Sequence, residues 1–332
     1  MKNTLLATLA IIALSSSTVY ARDTISVVGS STVYPFVTSA AENFSKTGFA
    51  TPIVESTGTG GGIKLFCAGV GVDTPDAVNA SRPIKESEVE SCAKNGVSNP
   101  IELKIGKDVL SIASSKEAAD MDLTIEQIFL ALAKEIIVDG KIVANPNKLW
   151  SDIDASLPNK KIEVLGPPPT SGTRDSFVEL AMVPACKAIL KKNKLKLDEK
   201  AEKSLCGSMR EDGAYIDAGE NDNLIVQKLS SNPDMVGIFG FSFLENSRDV
   251  LKDVKVNGVE ASFESAADGS YPLSRDLFVY IKREHLDLIK GLKEFSSELV
   301  SDAAIGEDGY LVDKGLITIP QADREAQRAK LN

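Results

Sequence analysis

Four short segments of the chain concentrate the residue types that hold oxyanions. They are Gly29-Ser30-Ser31-Thr32, Thr57-Gly58-Thr59-Gly60-Gly61-Gly62, Ala80-Ser81-Arg82-Pro83 and Pro169-Thr170-Ser171-Gly172-Thr173-Arg174. Hydroxyl and guanidinium groups donate hydrogen bonds, and glycine lets backbone N–H groups come close to a ligand. Each segment precedes a helical pattern, so free N–H groups of a helix start can converge with these side chains. Such parts suit a tetrahedral anion with several acceptor oxygens, to which an arginine adds charge-assisted bonds. Plainer explanations exist for each. Ser31 or Thr32 could cap the helix that starts near Pro35, and Ser171 or Thr173 could cap the run after Gly172. The glycine segment could be a linker, Arg82 a surface charge and Arg174 an ion-pair partner of Asp175. The glycine segment is not a P-loop, since Lys64 follows Ile63 instead of Gly and precedes Leu65 instead of Ser or Thr.

The elements that must position these segments follow from hydrophobic pattern. A β-branched strand over residues 25–28 leads through the first segment into a helix. A second strand over residues 53–55 leads through the glycine segment into a short helix carrying Ile63, Leu65 and Phe66. A third strand ending at Ala80 leads through Ser81-Arg82-Pro83 into a polar helix. Strand, polar loop and helix in threefold succession predict an α/β lobe with a largely parallel sheet. Ligands sit beyond the carboxyl ends of such strands, where these loops lie. Two strand-like runs over residues 101–115 form a crossing into a second lobe. That lobe holds a helix near residues 124–133, a strand over 161–166, the Ser-Gly-Thr corner with its helix, and the stretch 223–241. Residues 271–281 form the return crossing, and a tail helix starting at His285 packs back on the first lobe. The expected domains are residues 22–107 with 275–332, and residues 108–274, with hinges near 106–110 and 272–277.

Composition narrows the function. The chain has 332 residues, 43% hydrophobic and 25% charged, enough for about two domains. Residues 1–21 carry Lys2, an apolar run too short to span a bilayer and small residues before the junction, the pattern of a signal peptide cleaved after Ala21. An exported protein makes disulfides the expected fate of Cys67, Cys92, Cys186 and Cys206. Among the three connectivities open to four cysteines, Cys67–Cys92 and Cys186–Cys206 keep each bridge within one lobe. Metal binding is not expected, since His285 is the only histidine and no C-x-x-C occurs. The net charge of −10 argues against nucleic acid and would repel small anions at long range. A serine hydrolase would need His285 near a loop serine, and no G-x-S-x-G elbow is present.

The segments "GSSTVYPF", "ESTGTGGGIKLF", "NASRPIK" and "GPPPTSGTRDSF", followed by "DAGENDNLIVQKL" and "PDMVGIFGFSF", make the chain resemble the phosphate-binding proteins of bacterial phosphate ABC transporters. The likeness covers essentially all of residues 22–332. It implies the two-lobed periplasmic-binding-protein fold of type II, an α/β Venus flytrap with two chain crossings. It also implies binding of inorganic phosphate in the periplasm and delivery to a membrane permease, without enzymatic activity, cofactor or metal. A monomer is the expected state.

Carried over by motif, Ser31, Thr32, Thr59, Ser81, Ser171, Gly172 and Thr173 fall on binding loops, and Ser30, Gly60, Arg82 and Arg174 complete the expected phosphate site. Two departures stand out. Well-known members have an aspartate at the position matched by Ser81, where it accepts the proton of phosphate, and an arginine where this chain has three prolines, Pro167, Pro168 and Pro169. Arg174 and Arg82 are expected to replace the cation. Glu55, at the end of the second strand, is the first choice for proton acceptor and Asp175 the second. The nearest alternative ligands are sulfate and molybdate.

Overall fold

A computed structural model describes residues 22–331 except Thr170 and Glu220. The expected signal peptide lies outside the described residues. Strands β1 (Ser26–Gly29), β2 (Ile53–Ser56) and β3 (Ala77–Ala80) are each followed by a helix, α1 (Tyr34–Ser45), α2 (Thr59–Phe66) and α3 (Glu86–Lys94). β1 runs parallel to β2 on one side and to β3 on the other. Their three following loops therefore open at one edge of the sheet. Val27 and Val28 point to opposite faces and are both buried, as strands covered on two sides require. On one face Val37, Ala40 and Phe44 of α1 pack with Val27, Ala77 and Phe295. On the other, Ile63 and Phe66 of α2 pack with Val28 and Val78. The Cys67–Cys92 disulfide ties the end of α2 to α3.

The first crossing is one strand, β4 (Ile101–Ser115), where the sequence suggested two runs. Further strands are β5 (Val164–Gly166), β6 (Tyr215–Asp217), β7 (Val236–Gly240), β8 (Leu251–Asp253) and β9 (Ser274–Ile281). They complete a nine-stranded sheet in the order β2-β1-β3-β9-β4-β7-β5-β6, with β8 also paired to β4. β4 pairs antiparallel with β9 over residues 101–109 and with β7 over residues 110–114. Its two ends belong to different cores. Ile101, Leu103 and Ile105 pack with Leu277, Val279 and Ile281, whereas Val109, Leu110 and Ile112 pack with Leu273, Phe129 and Trp150. The change of core falls at a β-bulge, where the register of β9 slips between Leu277 and Phe278. Gly106 stands at that bulge because a Cβ there would lie 2.8 Å from the carbonyl oxygen of Ile317.

The second core is closed by helices α4 (Ile125–Leu132), α5 (Gly172–Phe177), α6 (Val183–Lys192) and α7 (Glu199–Gly207), with a π-helical turn at Val178–Met182 joining α5 to α6. Pro184 explains that turn. It has no N–H for the carbonyl of Leu180 and its ring would crowd the preceding turn, which a widened turn relieves. Cys186–Cys206 fastens α7 to α6.

The tail departs from the expected helix. Arg283–His285 form a single 3-10 turn, and the helix begins only at Leu292–Glu298. Gly291, at φ 84°, breaks the run in a left-handed conformation that glycine adopts without strain. His285 is buried, with its ring nitrogens 2.6 Å from Asp76 and 3.0 Å from the carbonyl oxygen of Val70. Asp76 is itself wholly buried and accepts bonds from Arg22 at 2.8 Å and the Ser26 N–H at 2.7 Å. This carboxylate pins the start of β1, the start of β3 and the tail together. Removing it strands a guanidinium and an imidazole, so Asp76→Ala should lower stability by about 3–5 kcal/mol. Urea unfolding measures the loss, and a change below about 1 kcal/mol would show that the cluster contributes only surface-like strength.

Candidate functional site

The first-lobe side of the site is built from the loops after β1, β2 and β3. Gly29, at φ 136°, ends β1 with no room for a Cβ, which would lie 2.2 Å from the carbonyl oxygen of Asn79. The Ser30 N–H donates to that same oxygen at 3.1 Å, and the Ser30 carbonyl accepts from Tyr34 N–H at the start of α1. Ser30, Thr32, Thr59 and Ser81 are buried. Thr59 Oγ1 accepts from the Ser81 N–H at 3.2 Å and lies 3.0 Å from Ser81 Oγ, which locks the glycine loop to the third loop. Gly60 occupies the first turn of α2, on the side of Arg82.

The second-lobe side is the start of α5. Ser171 is its N-cap and accepts from the Thr173 N–H at 3.2 Å. Gly172 lies directly on the first lobe, where a Cβ would be 2.8 Å from the Ser31 carbonyl oxygen and 3.1 Å from Thr32 Cα. Around it the lobes exchange hydrogen bonds. Ser31 Oγ donates to Asp175, Thr32 Oγ1 lies 3.0 Å from Ser176 Oγ, and Ser81 Oγ donates to Glu179 at 3.4 Å.

Arg275, at the start of β9, bonds to groups from both lobes. It faces Asp108 across the β4–β9 ladder and donates to it at 3.3 Å. The same guanidinium donates to Thr32 Oγ1 at 2.8 Å, to Ser176 Oγ at 2.6 Å and to the Glu179 carboxylate. Its side chain is only 9% exposed. With two carboxylates against it, Arg275 acts as a strut across the cleft, not as a free cation.

A cavity of about 760 Å³ lies between the lobes. Ser30, Ser31, Gly58 and Thr59 line it from one side, and Arg174, Asp175 and Glu179 from the other. An adjoining recess shares Thr59 and Glu179 and adds Ser81, Arg82 and Arg275. Arg174 stacks on the Tyr215 ring at 4.2 Å. Burial pushes the Tyr215 hydroxyl up to about 12, and it donates to the Pro167 carbonyl at 2.6 Å. Tyr215 thus holds both the proline turn and the arginine that follows it. Among the described residues no carboxylate pairs with Arg174, and the neighbouring Asp175 turns to Ser31 instead.

Arg82 is committed elsewhere. It makes a two-pronged pair with Glu88 at 2.9 and 2.8 Å, and that hydrogen bonding holds Glu88 below the usual carboxylate range. Glu55 is exposed on the edge strand β2, opposite Val28, and lines neither the cavity nor the recess. Glu55 is therefore placed away from the site it was expected to serve as proton acceptor. Sequence reasoning missed Arg275, Glu179 and Ser176. Glu179 was within reach, because it lies four residues after Asp175 on the helix that follows the Ser-Gly-Thr corner. Arg275 had a weaker signal, a charge at the head of an apolar strand placed at a crossing. Ser176 was hidden by its ordinary chemistry.

Two cores on one continuous sheet, joined by two strands and with polar loops facing across a cavity, define a two-lobed binding protein of the type II periplasmic class. A family model described as a PBP superfamily domain matches residues 15–303. The phosphate-binding protein PstS of Staphylococcus saprophyticus is 32% identical over 92% of this chain and 83% of its own length. SphX of Synechococcus elongatus is 34% identical over 77% of this chain and 67% of its own length. The crystal structure of a possible phosphate binding protein from Planctomyces limnophilus superposes with a TM-score of 0.75 at 27% identity, covering 93% of this chain and 98% of that one. The chain belongs to the PBP superfamily and, within it, to the PstS phosphate-binding proteins.

Arg174 lines the cavity and, among the described residues, forms no ion pair, so its donors are available to an anion held there. Arg174→Ala should weaken phosphate binding by roughly 2–5 kcal/mol, against roughly 1–3 for Thr59→Ala. Titration calorimetry gives the ranking, and an unchanged affinity in the arginine variant would place the anion elsewhere.

Proposed function

We propose that the protein binds inorganic phosphate outside the cytoplasm, after removal of residues 1–21, and delivers it to the permease of a phosphate ABC transporter. The observation that carries this reading is the convergence of Ser30, Ser31 and Thr59 with Arg174 in one cavity between the lobes, in a chain whose relatives are named phosphate-binding proteins. Ser171, Gly172 and Thr173, the helix-start corner just before Arg174, pack against the first lobe beside the cavity and do not line it, and Thr32 and Ser81 brace it from behind. The lobes comprise residues 22–107 with 275–332, and residues 108–274, and they move about the bulged crossings of β4 and β9. The protein acts as a monomer and as a carrier, not an enzyme. His285, the histidine that a hydrolytic triad would need, is spent on Asp76 and Val70.

Selectivity follows from the second departure noted in the sequence. Phosphate near neutral pH still has a proton to donate and sulfate does not, so a fixed carboxylate in the site favours the former. Ser81 stands where the family has its aspartate, and Glu179 reaches Ser81 from the opposite lobe. Arg275 keeps Glu179 oriented through their ion pair. The proton acceptor and its arginine are thus supplied by a helix and a hinge strand, in place of the loops that carry them elsewhere in the family.

Equilibrium titration with phosphate, sulfate and molybdate tests the assignment. Phosphate should bind far more tightly than the other two, and equal binding of sulfate would overturn it. Glu179→Gln should narrow the phosphate-to-sulfate affinity ratio about tenfold, roughly the worth of one unmade charge-assisted bond. Glu55→Gln should leave the ratio alone. An unchanged ratio in Glu179→Gln with a narrowed ratio in Asp175→Asn would move the role to Asp175.

A further inference from the structure

A protein with net charge −10 that captures a small dianion must overcome its own long-range field. The wall of the interlobe cavity beyond Arg174 carries two more cations, Lys200 and Lys203. They stand three residues apart on α7, so they share one face of that helix. Both are exposed, and among the described residues neither forms an ion pair. Two acids share α7 with them: Glu202 is taken by Lys187 at 3.2 Å, while Glu199, beside Lys200 and one turn before Lys203, is exposed and forms no ion pair among the described residues. Of the two acids that line the same cavity, Glu179 is matched by Arg275, which leaves Asp175 against three positive side chains. Glu211 and Asp217 lie in the neighbouring recess, on the far side of Arg174. The helix that carries the lysines is held in place by Cys186–Cys206 and by burial of Leu205 in the second core.

From this arrangement we infer that Lys200 and Lys203 form an outer capture site for small dianions at the mouth of the cavity, handing them to Arg174 and the loops within. The inference rests on the phosphate reading given above. The two lysines act on approach and have no place in the closed site, so they set the association rate and leave the dissociation rate alone. A positive rim set against an acidic surface focuses anions locally even when the net charge repels them.

The test is rapid-mixing measurement of inorganic phosphate association and dissociation with the full-length mature protein. At about 20 mM ionic strength, where the Debye length exceeds 20 Å, Lys200→Gln with Lys203→Gln should slow association about three- to tenfold. At about 300 mM the difference should shrink to less than about twofold, with dissociation unchanged throughout. Lys200→Arg with Lys203→Arg should restore the rate. Lys191→Gln with Lys196→Gln makes the same change in net charge away from the cavity, and should have little effect. Equal association rates in wild type and the Lys200/Lys203 variant would overturn the capture role. So would an equal slowing in the Lys191/Lys196 variant, because net charge alone would then explain it. Faster dissociation would make the lysines direct ligands and would also overturn it. Wild-type protein that binds no phosphate at equilibrium would instead overturn the ligand assignment on which the inference rests.

Discussion

The arrangement of the site depends on one guanidinium that cannot serve a single lobe. Arg275 leaves the crossing strand β9, is braced by Asp108 on β4, and bonds at once to Thr32 on the first lobe and to Ser176 and Glu179 on the second. All four bonds form only when the lobes are together, because Ser176 and Glu179 belong to the second lobe and Thr32 to the first. One of the two strands that cross between the lobes thus also carries the group that bonds to both of them. Gly172 sets how close that meeting is, because the Ser31 backbone lies where its side chain would be.

The division of labour among the charges follows from what each is already bonded to. Arg82 and Arg275 face carboxylates and contribute little net field, while Arg174 rests on an aromatic face that leaves its donors unpaired by acid. A ring supports a guanidinium without neutralising it. This is how a chain with an excess of acidic residues can still present a cation to an anion. The hydroxyls perform a different task. Thr59 and Ser81 bond to each other within the first lobe, so their positions are fixed before any ligand contributes. Donors held in this way lose little freedom when they bind.

Much of this was legible in the sequence. The three strand–loop–helix units appear with the expected loops at one edge of the sheet, because β-branched runs, glycine and hydroxyl residues act locally. The two disulfides join the cysteines nearest in sequence, as a two-core chain favours. What remained hidden depended on tertiary partners. The tail helix was expected from His285 because the apolar pattern continues there, yet Asp76, more than two hundred residues earlier, draws that histidine into the core. Residues 101–115 read as two strands because Gly106 and Lys107 interrupt the apolar run, but pairing with β9 carries the ladder through a bulge. Glu55 was favoured for its place at the end of a strand. Only the strand order shows that β2 is an edge and that its side chain faces solvent.

Small-angle scattering on the wild-type protein, with and without saturating phosphate, tests most directly whether the two lobes close on the ligand. An anion bonded as proposed, to Ser30, Ser31 and Thr59 on one side and to Arg174 on the other, would favour the closed arrangement over any open one. Phosphate should therefore reduce the radius of gyration, and sulfate at the same concentration should not. Superimposable curves at saturating phosphate would contradict a site shared between moving lobes.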